Sequence, residues 1–306
     1  MKILTATEKP FAKEAVNGIK QIIEEAGYEF ALLEKYTDKA QLLEAVKDAD
    51  GLIIRSDKVT SEVVAAAENL KIVVRAGAGY DNVDLKACSD KNIVVMNTPG
   101  QNSNAVAELV IGMMIAVSRN CFTPGTGSEV SGKTLGIHAY GNVGRIAARY
   151  GKALGMTVYA YDPFIKDKAV FEKDGVIMAE SPEELYSKCR FVSIHMPANE
   201  QTKKSINYSL LSLMPKGATL INTARKEVVD EESISRMFEE RNDFRYAADI
   251  APAIAAELKE KYPNRFLSTP KKMGAETAEA NINAGLAAAR QSVGFLKDGI
   301  TKFKVN

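Results

Sequence analysis

The 306-residue chain contains no tryptophan, only two histidines and three cysteines, and no excess of charge of either sign. Forty basic against 39 acidic residues leave a net charge of +1, so no global field would recruit nucleic acid or an anionic membrane. Cys88, Cys121 and Cys189 lack metal or redox spacing, which favours burial as small apolar residues. We therefore expect no metal site, no nucleic-acid partner and a reducing compartment.

Long hydrophobic runs are also missing. No apolar segment reaches membrane-spanning length, and residues 1–5 lead into a strand-like MKILTA without the features of a signal peptide. We expect a cytoplasmic protein with no membrane partner. Hydrophobic residues make up 46% of the chain, enough to build the cores of the two domains that this length predicts.

The segment KTLGIHAYGNVGRIAARYGKALGMTVYAYD, residues 133–162, predicts a strand, a glycine turn, a helix and a second strand ending in an acid. This order is typical of dinucleotide binding. Gly141 would let the backbone approach a pyrophosphate, and Gly144 would let helix and strand pack closely. The helix N-terminus, starting at Asn142 and Val143, would offer unpaired N–H groups to the anion.

The acid and the first turn position refine this prediction. Asp162 follows Gly144 by 18 residues, about where a carboxylate binds the ribose hydroxyls of NAD and repels a 2′-phosphate. Ala139 stands where the first glycine of G-x-G-x-x-G is expected. We expect the alanine to be tolerated with a negative φ, because this position makes the turn and is not the one nearest the phosphate. The sequence thus predicts NAD as the cofactor.

Short apolar strands alternate with polar helices along the chain, which predicts an α/β fold of two doubly wound parallel-sheet domains. We expect a flavodoxin-like substrate domain over 1–98 plus 276–306 and a Rossmann NAD-binding domain over 99–275. The boundary near residue 98 follows from the breaker NTPG, and the last helix and KFKVN would return to the first domain. The expected strands are 2–6, 29–33, 51–54, 71–74 and 93–96, then the strand opening 133–162, 157–161, 191–196, 218–222 and 246–250.

Further motifs occur along almost the whole chain: IIRSDKVT (53–60), VRAGAGYDNVD (74–84), NTPGQNSNAVAEL (97–109), HMP (195–197), NTARKEVVDEE (222–232) and TPKKMGAET (269–277). Together with the glycine turn, they resemble the D-2-hydroxyacid dehydrogenase family, and within it the short phosphoglycerate dehydrogenases. The resemblance implies hydride transfer between NAD and C2 of a D-2-hydroxy acid. It also implies that Arg225 clamps the substrate carboxylate, for which a bidentate guanidinium is well suited. The further cofactor contacts that it implies are Pro197, Thr223, Ala224, Asp249 and Gly274.

The general acid/base of this family is usually a histidine, but His138 and His195 both lie outside the late TPKKMGAET segment. Aligning this segment on Gly274 places Lys272 at the histidine position, which resembles the lysine subtype of phosphoglycerate dehydrogenases. Its pKa must fall from about 10.4 for Lys272 to act as a base near neutrality, and partial burial near Arg225 would lower it. We expect the neighbouring Lys271 to be a solvated surface residue.

A second departure agrees with the first. The histidine enzymes carry an orienting glutamate five residues after the strand-end aspartate, whereas here Asp249 is followed at that distance by Ile254. A lysine has no tautomer to fix, so losing the glutamate together with the histidine is consistent. The resemblance assigns Asp249 to the nicotinamide carboxamide, and capping of a loop is the alternative role.

Substrate choice rests on two arginines that follow short strands of the first domain. Arg55, with Ser56, and Arg75 match the segments that bind the substrate phosphate in phosphoglycerate dehydrogenases. Backbone N–H groups of Gly77 and Ala78 would hold the carboxylate as a small anion nest. Two arginines at one site are excessive for lactate or glyoxylate, so we expect a phosphorylated hydroxy acid as the small-molecule partner.

The function predicted is NAD-dependent oxidation of 3-phospho-D-glycerate to 3-phosphohydroxypyruvate, the entry to serine synthesis in the enzymes that the chain resembles. Reduction of hydroxypyruvate or glyoxylate is the alternative within the same chemistry, and an NAD-sensing interaction protein of the same fold is the alternative from another class. The helix over residues 106–119 is apolar on more than one face, which predicts a homodimer through the NAD-binding domain. We expect no further regulatory domain, since about ten residues follow the last helix.

Overall fold

The computed structural model describes all 306 residues, Met1–Asn306. The strands are β1 Lys2–Thr7, β2 Glu29–Glu34, β3 Gly51–Ile54, β4 Ile72–Arg75, β5 Val94–Asn97, β6 Thr134–His138, β7 Thr157–Tyr161, β8 Ile177–Met178, β9 Phe191–Ile194, β10 Thr219–Asn222, β11 Arg245–Ala248 and β12 Phe266–Ser268. The α-helices are α1 Lys13–Glu25, α2 Lys39–Ala45, α3 Ser61–Ala66, α4 Leu85–Asp90, α5 Ser103–Ser118, α6 Asn142–Ala153, α7 Ala169–Glu172, α8 Pro182–Lys188, α9 Tyr208–Leu211, α10 Glu231–Glu240, α11 Ala255–Lys261 and α12 Ala278–Asp298. Short 3₁₀ helices cover Asn120–Phe122 and Lys226–Val228.

The chain forms two compact units, which we call unit 1 (Met1–Asn102 with Glu276–Asn306) and unit 2 (Ser103–Ala275). Unit 1 contains a five-stranded parallel sheet in the order β2-β1-β3-β4-β5, the flavodoxin-like order. Unit 2 contains a seven-stranded parallel sheet in the order β12-β11-β10-β9-β6-β7-β8, the Rossmann order with one further strand. The predicted fold class is confirmed.

Each sheet is buried on both faces because its central strands are apolar at every position. In β3, Leu52 and Ile54 pack into one core and Ile53 into the other. In β10, Leu220 and Ile221 separate in the same way between the two cores of unit 2. Successive side chains point to opposite faces of a strand, so unbroken apolar runs require helices on both sides of the sheet.

Some local features differ from the sequence predictions. β8 and β12 were not predicted, because strands of two and three residues are too short to show a periodicity. Unit 1 extends to Asn102, a few residues beyond the predicted boundary. The C-terminal tail lies against β5 of unit 1, where Val305 N–H donates to the carbonyl of Val95 at 2.9 Å.

Helix α5 buries most of its apolar residues within unit 2, including Met113 and Met114. Its exposed strip includes Gly112 and Ile115, the latter 37% exposed. The helix is therefore apolar all round chiefly because its own unit surrounds it. No helix of the chain has both the length and the apolar character needed to cross a membrane.

Candidate active site

The glycine turn between β6 and α6 has the space that an approaching anion needs. A Cβ built at Gly141, the N-cap of α6, would meet nothing within 4 Å. A Cβ at Gly144 would lie 2.4 Å from the carbonyl oxygen of Ala139 and 2.9 Å from Ile137, so only glycine fits there. The open space at Gly141 lies beside the N–H groups of the first turn of α6, where Asn142 and Val143 stand, and this arrangement fits a pyrophosphate.

Ala139 does not have the negative φ that we expected from the sequence. Its φ is +78°, in the left-handed region. The backbone must turn sharply here, because Ala139 N–H still pairs with the carbonyl of Tyr161 at 2.9 Å while Gly144 packs against the Ala139 carbonyl. An L-residue in this region costs about 1–2 kcal/mol, so the turn stores strain that a glycine would avoid.

Asp162 is fixed beside this turn by backbone groups. Its Oδ2 accepts the N–H of Tyr140 at 2.8 Å, and its Oδ1 accepts the N–H of Phe164 at 2.9 Å. Each carboxylate oxygen can accept more than one hydrogen bond, so Asp162 can also accept ribose hydroxyls. It remains half-exposed at the end of β7, where the sequence predicted it.

Asn222 organises the turn after β10. Its side-chain oxygen accepts the N–H of Ala224 at 3.0 Å, and its amide donates to the carbonyl of Arg225 at 2.9 Å. The Oγ1 of Thr223 is buried without a hydrogen-bond partner. Pro197, another predicted cofactor contact, is exposed just after β9. Polar side chains therefore lie at the carboxyl end of β10, the edge at which parallel sheets bind ligands.

Arg225 and Lys272 meet at one oxygen atom. Arg225 Nη1 donates to the carbonyl oxygen of Ala224 at 2.9 Å, and Lys272 Nζ donates to the same oxygen at 3.1 Å. The distance between Arg225 Nη1 and Lys272 Nζ therefore cannot exceed the sum of these two hydrogen-bond lengths. Lys271 is exposed, whereas Lys272 is half-buried, so the structure distinguishes the two adjacent lysines.

Asp249 is buried at the end of β11 and holds the loop that carries Lys272. Its Oδ1 accepts the hydroxyl of Thr269 and the N–H of Met273, and its Oδ2 accepts the N–H of Gly274, each at 2.8 Å. A Cβ at Gly274 would lie 2.9 Å from Oδ2, so the loop needs glycine there. The loop-capping alternative is thus what the structure displays, and contact of Asp249 with the cofactor stays a prediction.

The backbone is strained at the residue that follows Asp249. Ile250 has a φ of +128°, which is exceptional for a β-branched residue. Such a conformation persists only where the surrounding contacts over-determine it. The three hydrogen bonds to Asp249 supply such contacts on the preceding residue.

Both histidines have buried rings whose surroundings indicate a structural role. Burial lowers the pKa of His138 to about 4 and that of His195 to about 3. His138 Nδ1 lies 3.3 Å from the Tyr186 hydroxyl, and Nε2 of His195 is buried without a partner. Neither belongs to the turn at Ala224 or to the loop that carries Lys272. Both rings are neutral near pH 7.

In unit 1, the two predicted phosphate ligands lie at the carboxyl ends of adjacent strands. Arg55 directly follows Ile54, and Ile54 pairs with Arg75 across the ladder between β3 and β4. Arg55 Nη1 is 3.3 Å from the carbonyls of Lys9 and Pro10. Both arginines are half-buried at the carboxyl edge of the sheet, and Ser56 is exposed.

The loop after β4 is shaped around Arg75. A Cβ at Gly77 would fall 1.4 Å from Arg75 Nη1, and Gly77 has a φ of +147°, so glycine is required for two reasons. Thr98 N–H donates to the carbonyl of Gly77 at 2.9 Å, and Asn97 Nδ2 donates to the carbonyl of Ala78 at 2.6 Å. The strand end of β5 thus fixes the predicted anion nest.

Sequence reasoning missed two residues that hold Arg55. Asn281 of α12 accepts from Arg55 Nη2 at 2.6 Å, although 226 positions separate them. Asp57 accepts the backbone N–H of Arg55 at 3.2 Å. Asn281 lies outside the matching segments, and Asp57 lies within IIRSDKVT but nothing in that segment indicates which groups its carboxylate would bind, so only the fold reveals these contacts.

A separate cavity of about 610 Å³ lies in unit 2. Its lining mixes lysines with carboxylates and includes none of the predicted site residues. One of its lining residues, Lys226, directly follows Arg225 in the chain. The lining residues are Lys203, Lys204, Lys226, Glu227, Val229, Asp230, Glu231, Glu232, Ser235 and Ile254.

The doubly wound sheets, the glycine turn at a helix N-terminus and the acid ending the next strand together define a dinucleotide-binding α/β protein. Residues 112–270 match the family described as D-isomer specific 2-hydroxyacid dehydrogenase, NAD binding domain. The chain belongs to the D-2-hydroxyacid dehydrogenase family, and its cofactor is NAD.

Two relatives that carry enzyme names are similar to most of this chain. D-3-phosphoglycerate dehydrogenase of Methanocaldococcus jannaschii is 35% identical over 286 residues, which covers 88% of this chain and 54% of the relative. Hydroxypyruvate reductase of Thermotoga maritima is 32% identical over 276 residues, which covers 84% of this chain and 88% of the relative. This chain therefore spans about half the length of the phosphoglycerate dehydrogenase relative and most of the reductase.

A solved structure of 3-phosphoglycerate dehydrogenase from Entamoeba histolytica, with NAD+ bound, is also similar. It has a TM-score of 0.87 and 48% sequence identity, and the match covers 100% of this chain and 98% of that chain. The structure of D-2-hydroxyisocaproate dehydrogenase, at 22% identity and a TM-score of 0.82, shows the same fold.

Proposed function

We propose that the chain catalyses the NAD-dependent oxidation of 3-phospho-D-glycerate to 3-phosphohydroxypyruvate. The observation that carries this proposal is the shared Ala224 carbonyl, which brings a guanidinium and a lysine amine together within the unit that contains the glycine turn. A fixed cation and a proton carrier are the two groups that oxidation of a 2-hydroxy acid needs from a protein. The named phosphoglycerate dehydrogenase relatives support the same assignment.

Arg225 and Lys272 divide the chemistry between them. Arg225 clamps the substrate carboxylate and polarises the oxygen on C2. Lys272 in its neutral form removes the proton of the C2 hydroxyl as the hydride leaves C2, which yields a 2-oxo acid and a protonated lysine. In the reverse direction the ammonium returns the proton.

The residues of the glycine turn hold the cofactor. NAD supplies the acceptor for the hydride. The first turn of α6, with Gly141, Asn142 and Val143, receives the pyrophosphate, and Asp162 receives the ribose hydroxyls. The open space at Gly141 supports this assignment, since a side chain there would obstruct the anion.

Unit 1 supplies the groups that select a phosphorylated substrate. Arg55 and Arg75 lie at the carboxyl ends of adjacent strands and bind the phosphate, and the N–H groups of Gly77 and Ala78 bind the carboxylate. A substrate with a neutral far end leaves both arginines without a ligand.

Steady-state kinetics with NAD and three substrates test this function. We expect the highest kcat/KM for 3-phospho-D-glycerate and much lower values for D-lactate and D-glycerate. A preference for the reduction of hydroxypyruvate or glyoxylate would select the activity named for the Thermotoga maritima relative. Binding of NAD without turnover of any of these substrates would favour an interaction protein.

A homodimer in the cytoplasm is part of the same proposal. Exposed Gly112 and Ile115 on α5 are the positions through which unit 2 would pair. Sedimentation of the wild type and of Ile115→Glu tests this pairing, and a monomeric wild type would contradict it.

A further inference from the structure

A buried carboxylate stands at the base of the loop that carries Arg55. Asp57 is only 4% exposed. Its Oδ1 accepts the hydroxyl of Tyr36 at 2.8 Å and the N–H of Glu8 at 2.7 Å, and its Oδ2 accepts the N–H of Arg55 at 3.2 Å. One carboxylate therefore joins three separate segments of unit 1 at the carboxyl edge of the sheet.

The guanidinium of Arg55 is oriented by groups on one of those segments. Its Nη1 is 3.3 Å from the carbonyl oxygens of both Lys9 and Pro10, and the central carbon of the guanidinium, Cζ, lies 5.2 Å from the centre of the Phe11 ring. Asn281 accepts from Nη2 at 2.6 Å. Three of these four contacts belong to residues 9–11, which directly follow Glu8.

Asp57 therefore controls Arg55 at both ends. It fixes the backbone of Arg55 directly, and through Glu8 it fixes the segment whose carbonyls orient the guanidinium. Asn82 reinforces the loop, since its side-chain amide donates to the carbonyls of Arg55 and Asp57 at 3.2 and 2.6 Å. A guanidinium held on both sides is pre-organised for a ligand and loses less entropy on binding.

We infer that Asp57 is a positioning residue that sets Arg55 for the phosphate of the substrate and so tunes specificity for phosphorylated hydroxy acids. This inference rests on the proposed function. Asp57 acts without touching the substrate, because its oxygens are buried and occupied by Tyr36, Glu8 and Arg55. Its loss should thus affect phosphate recognition and leave hydride transfer intact.

The test compares Asp57→Asn with Arg55→Ala and with the double variant. Asparagine keeps the volume of the side chain but loses acceptor capacity. We expect Asp57→Asn to raise the KM for 3-phospho-D-glycerate on the order of tenfold. Three quantities should stay within about twofold of the wild-type values, which is the usual scatter between independent sites. They are the KM for NAD, kcat, and the kcat/KM for non-phosphorylated D-glycerate. In the Arg55→Ala background, Asp57→Asn should add little, because its effect passes through the arginine.

Two further variants separate positioning from general stability. Asp50→Asn is the matched control, because Asp50 precedes β3 and accepts the N–H of Lys2 at 2.8 Å and Lys71 Nζ at 2.9 Å at the opposite edge of the sheet. It should leave the KM for 3-phospho-D-glycerate unchanged. Tyr36→Phe removes one donor to Asp57 and should raise this KM by a smaller factor than Asp57→Asn.

The outcomes are distinct. A normal KM in folded Asp57→Asn and Tyr36→Phe, alongside a raised KM in Arg55→Ala, would overturn the inference and leave the proposed function standing. An equal rise in Asp50→Asn would also overturn it, because the effect would then be one of stability. A normal KM in Arg55→Ala would remove the phosphate site from the proposed function, and the role of Asp57 with it.

Discussion

Both sheets carry a buried aspartate after a strand, and each aspartate holds a loop that bears a candidate functional cation. In unit 1, Asp57 lies two positions from the Arg55 that it fixes. In unit 2, Asp249 receives hydrogen bonds from residues 20, 24 and 25 positions away, around Lys272. The contact of Asp57 with Arg55 is thus local in sequence, although its other partners, Glu8 and Tyr36, lie 49 and 21 positions away. Asp249 holds the loop of Lys272 only through contacts between residues at least 20 positions apart.

The two sheet edges also differ in backbone strain. The positive φ beside Arg75 falls on a glycine, Gly77. In unit 2, the positive φ values after β6 and β11 fall on Ala139 and Ile250. Unit 1 thus places the positive φ beside its arginines on a glycine, whereas unit 2 is strained in its glycine turn and next to the aspartate that holds the loop of Lys272, and such strain is common at functional sites.

The comparison predicts that losing the cation of unit 2 affects turnover most. Lys272→Ala should keep NAD binding but lose roughly 100- to 10,000-fold in kcat, the usual contribution of a positioned acid/base. If Lys272 is the base, oxidation by the wild type should accelerate toward alkaline pH, where the lysine is neutral, and the variant should lose this dependence. Stopped-flow and steady-state pH profiles would measure both.

Lys271→Ala is the control for this experiment, since Lys271 is exposed and should be dispensable. Full turnover by the Lys272 variant would refute the assignment. An inactive Lys271 variant beside an active Lys272 variant would show that the neighbouring lysine carries the proton.

Losing a cation of unit 1 should instead weaken substrate binding. Arg75→Ala should raise the KM for 3-phospho-D-glycerate roughly ten- to a hundredfold, because it removes a charge-assisted contact with the phosphate. The KM for NAD should not follow. Lys71→Ala, at the other end of β4, is the matched control; equal KM values in both variants would move the phosphate site elsewhere.

Acid should weaken unit 2 through its histidines, which unit 1 lacks. Their folded pKa values of about 4 and about 3 lie below the unfolded value of about 6.5, so the unfolded chain binds more protons at low pH. Stability present above pH 6.5 is therefore lost as the pH falls toward these folded values. Between pH 7 and 5 the loss should be roughly 2 kcal/mol for each histidine.

Urea unfolding at pH 7 and at pH 5 measures this loss, in a window above the range in which ordinary carboxylates titrate. His138→Leu should remove part of the pH dependence. Identical free energies of unfolding at the two pH values would show that the histidines are not kept neutral by burial.

The cofactor turn of unit 2 gives a smaller effect. Asp162→Ala should narrow the preference for NAD over NADP by about tenfold, by relieving repulsion of the 2′-phosphate. Catalytic efficiencies with both cofactors measure it, and exposed Asp167→Ala is the control. Equal use of both cofactors by the wild type would remove the argument from the ribose.

The smallest expected effect comes from relieving the backbone strain at Ala139. Ala139→Gly should stabilise the protein by up to about 1 kcal/mol, since relief of the left-handed alanine exceeds the entropic cost of glycine. Ala147→Gly inside α6 makes the same change in a regular helix and should destabilise by about 1 kcal/mol or more. Chemical unfolding compares the two, and a destabilised Ala139→Gly would show that unit 2 is not strained there.

Much of the architecture followed from local patterns. Unbroken apolar strands predicted the two parallel sheets, and the spacing of Gly141, Gly144 and Asp162 predicted the cofactor turn. The predicted negative φ at Ala139 was wrong, because the backbone angle there depends on how closely α6 packs against β6. The position of Lys272 came from a resemblance, and no local pattern indicated that its amine would reach the carbonyl beside Arg225.

The sequence by itself determined the alternation of strands and helices, the turn that admits NAD and the absence of a histidine from the late segment, because each is a matter of residue type and spacing. Only the tertiary structure decided which polar groups meet. Asn281 reaches Arg55 because helix α12 packs back onto the sheet of unit 1. Asp249 holds the loop of Lys272 because parallel strands bring their carboxyl ends to one edge regardless of separation along the chain. Buried carboxylates must find donors wherever the fold supplies them, and those donors carry no signature in the sequence.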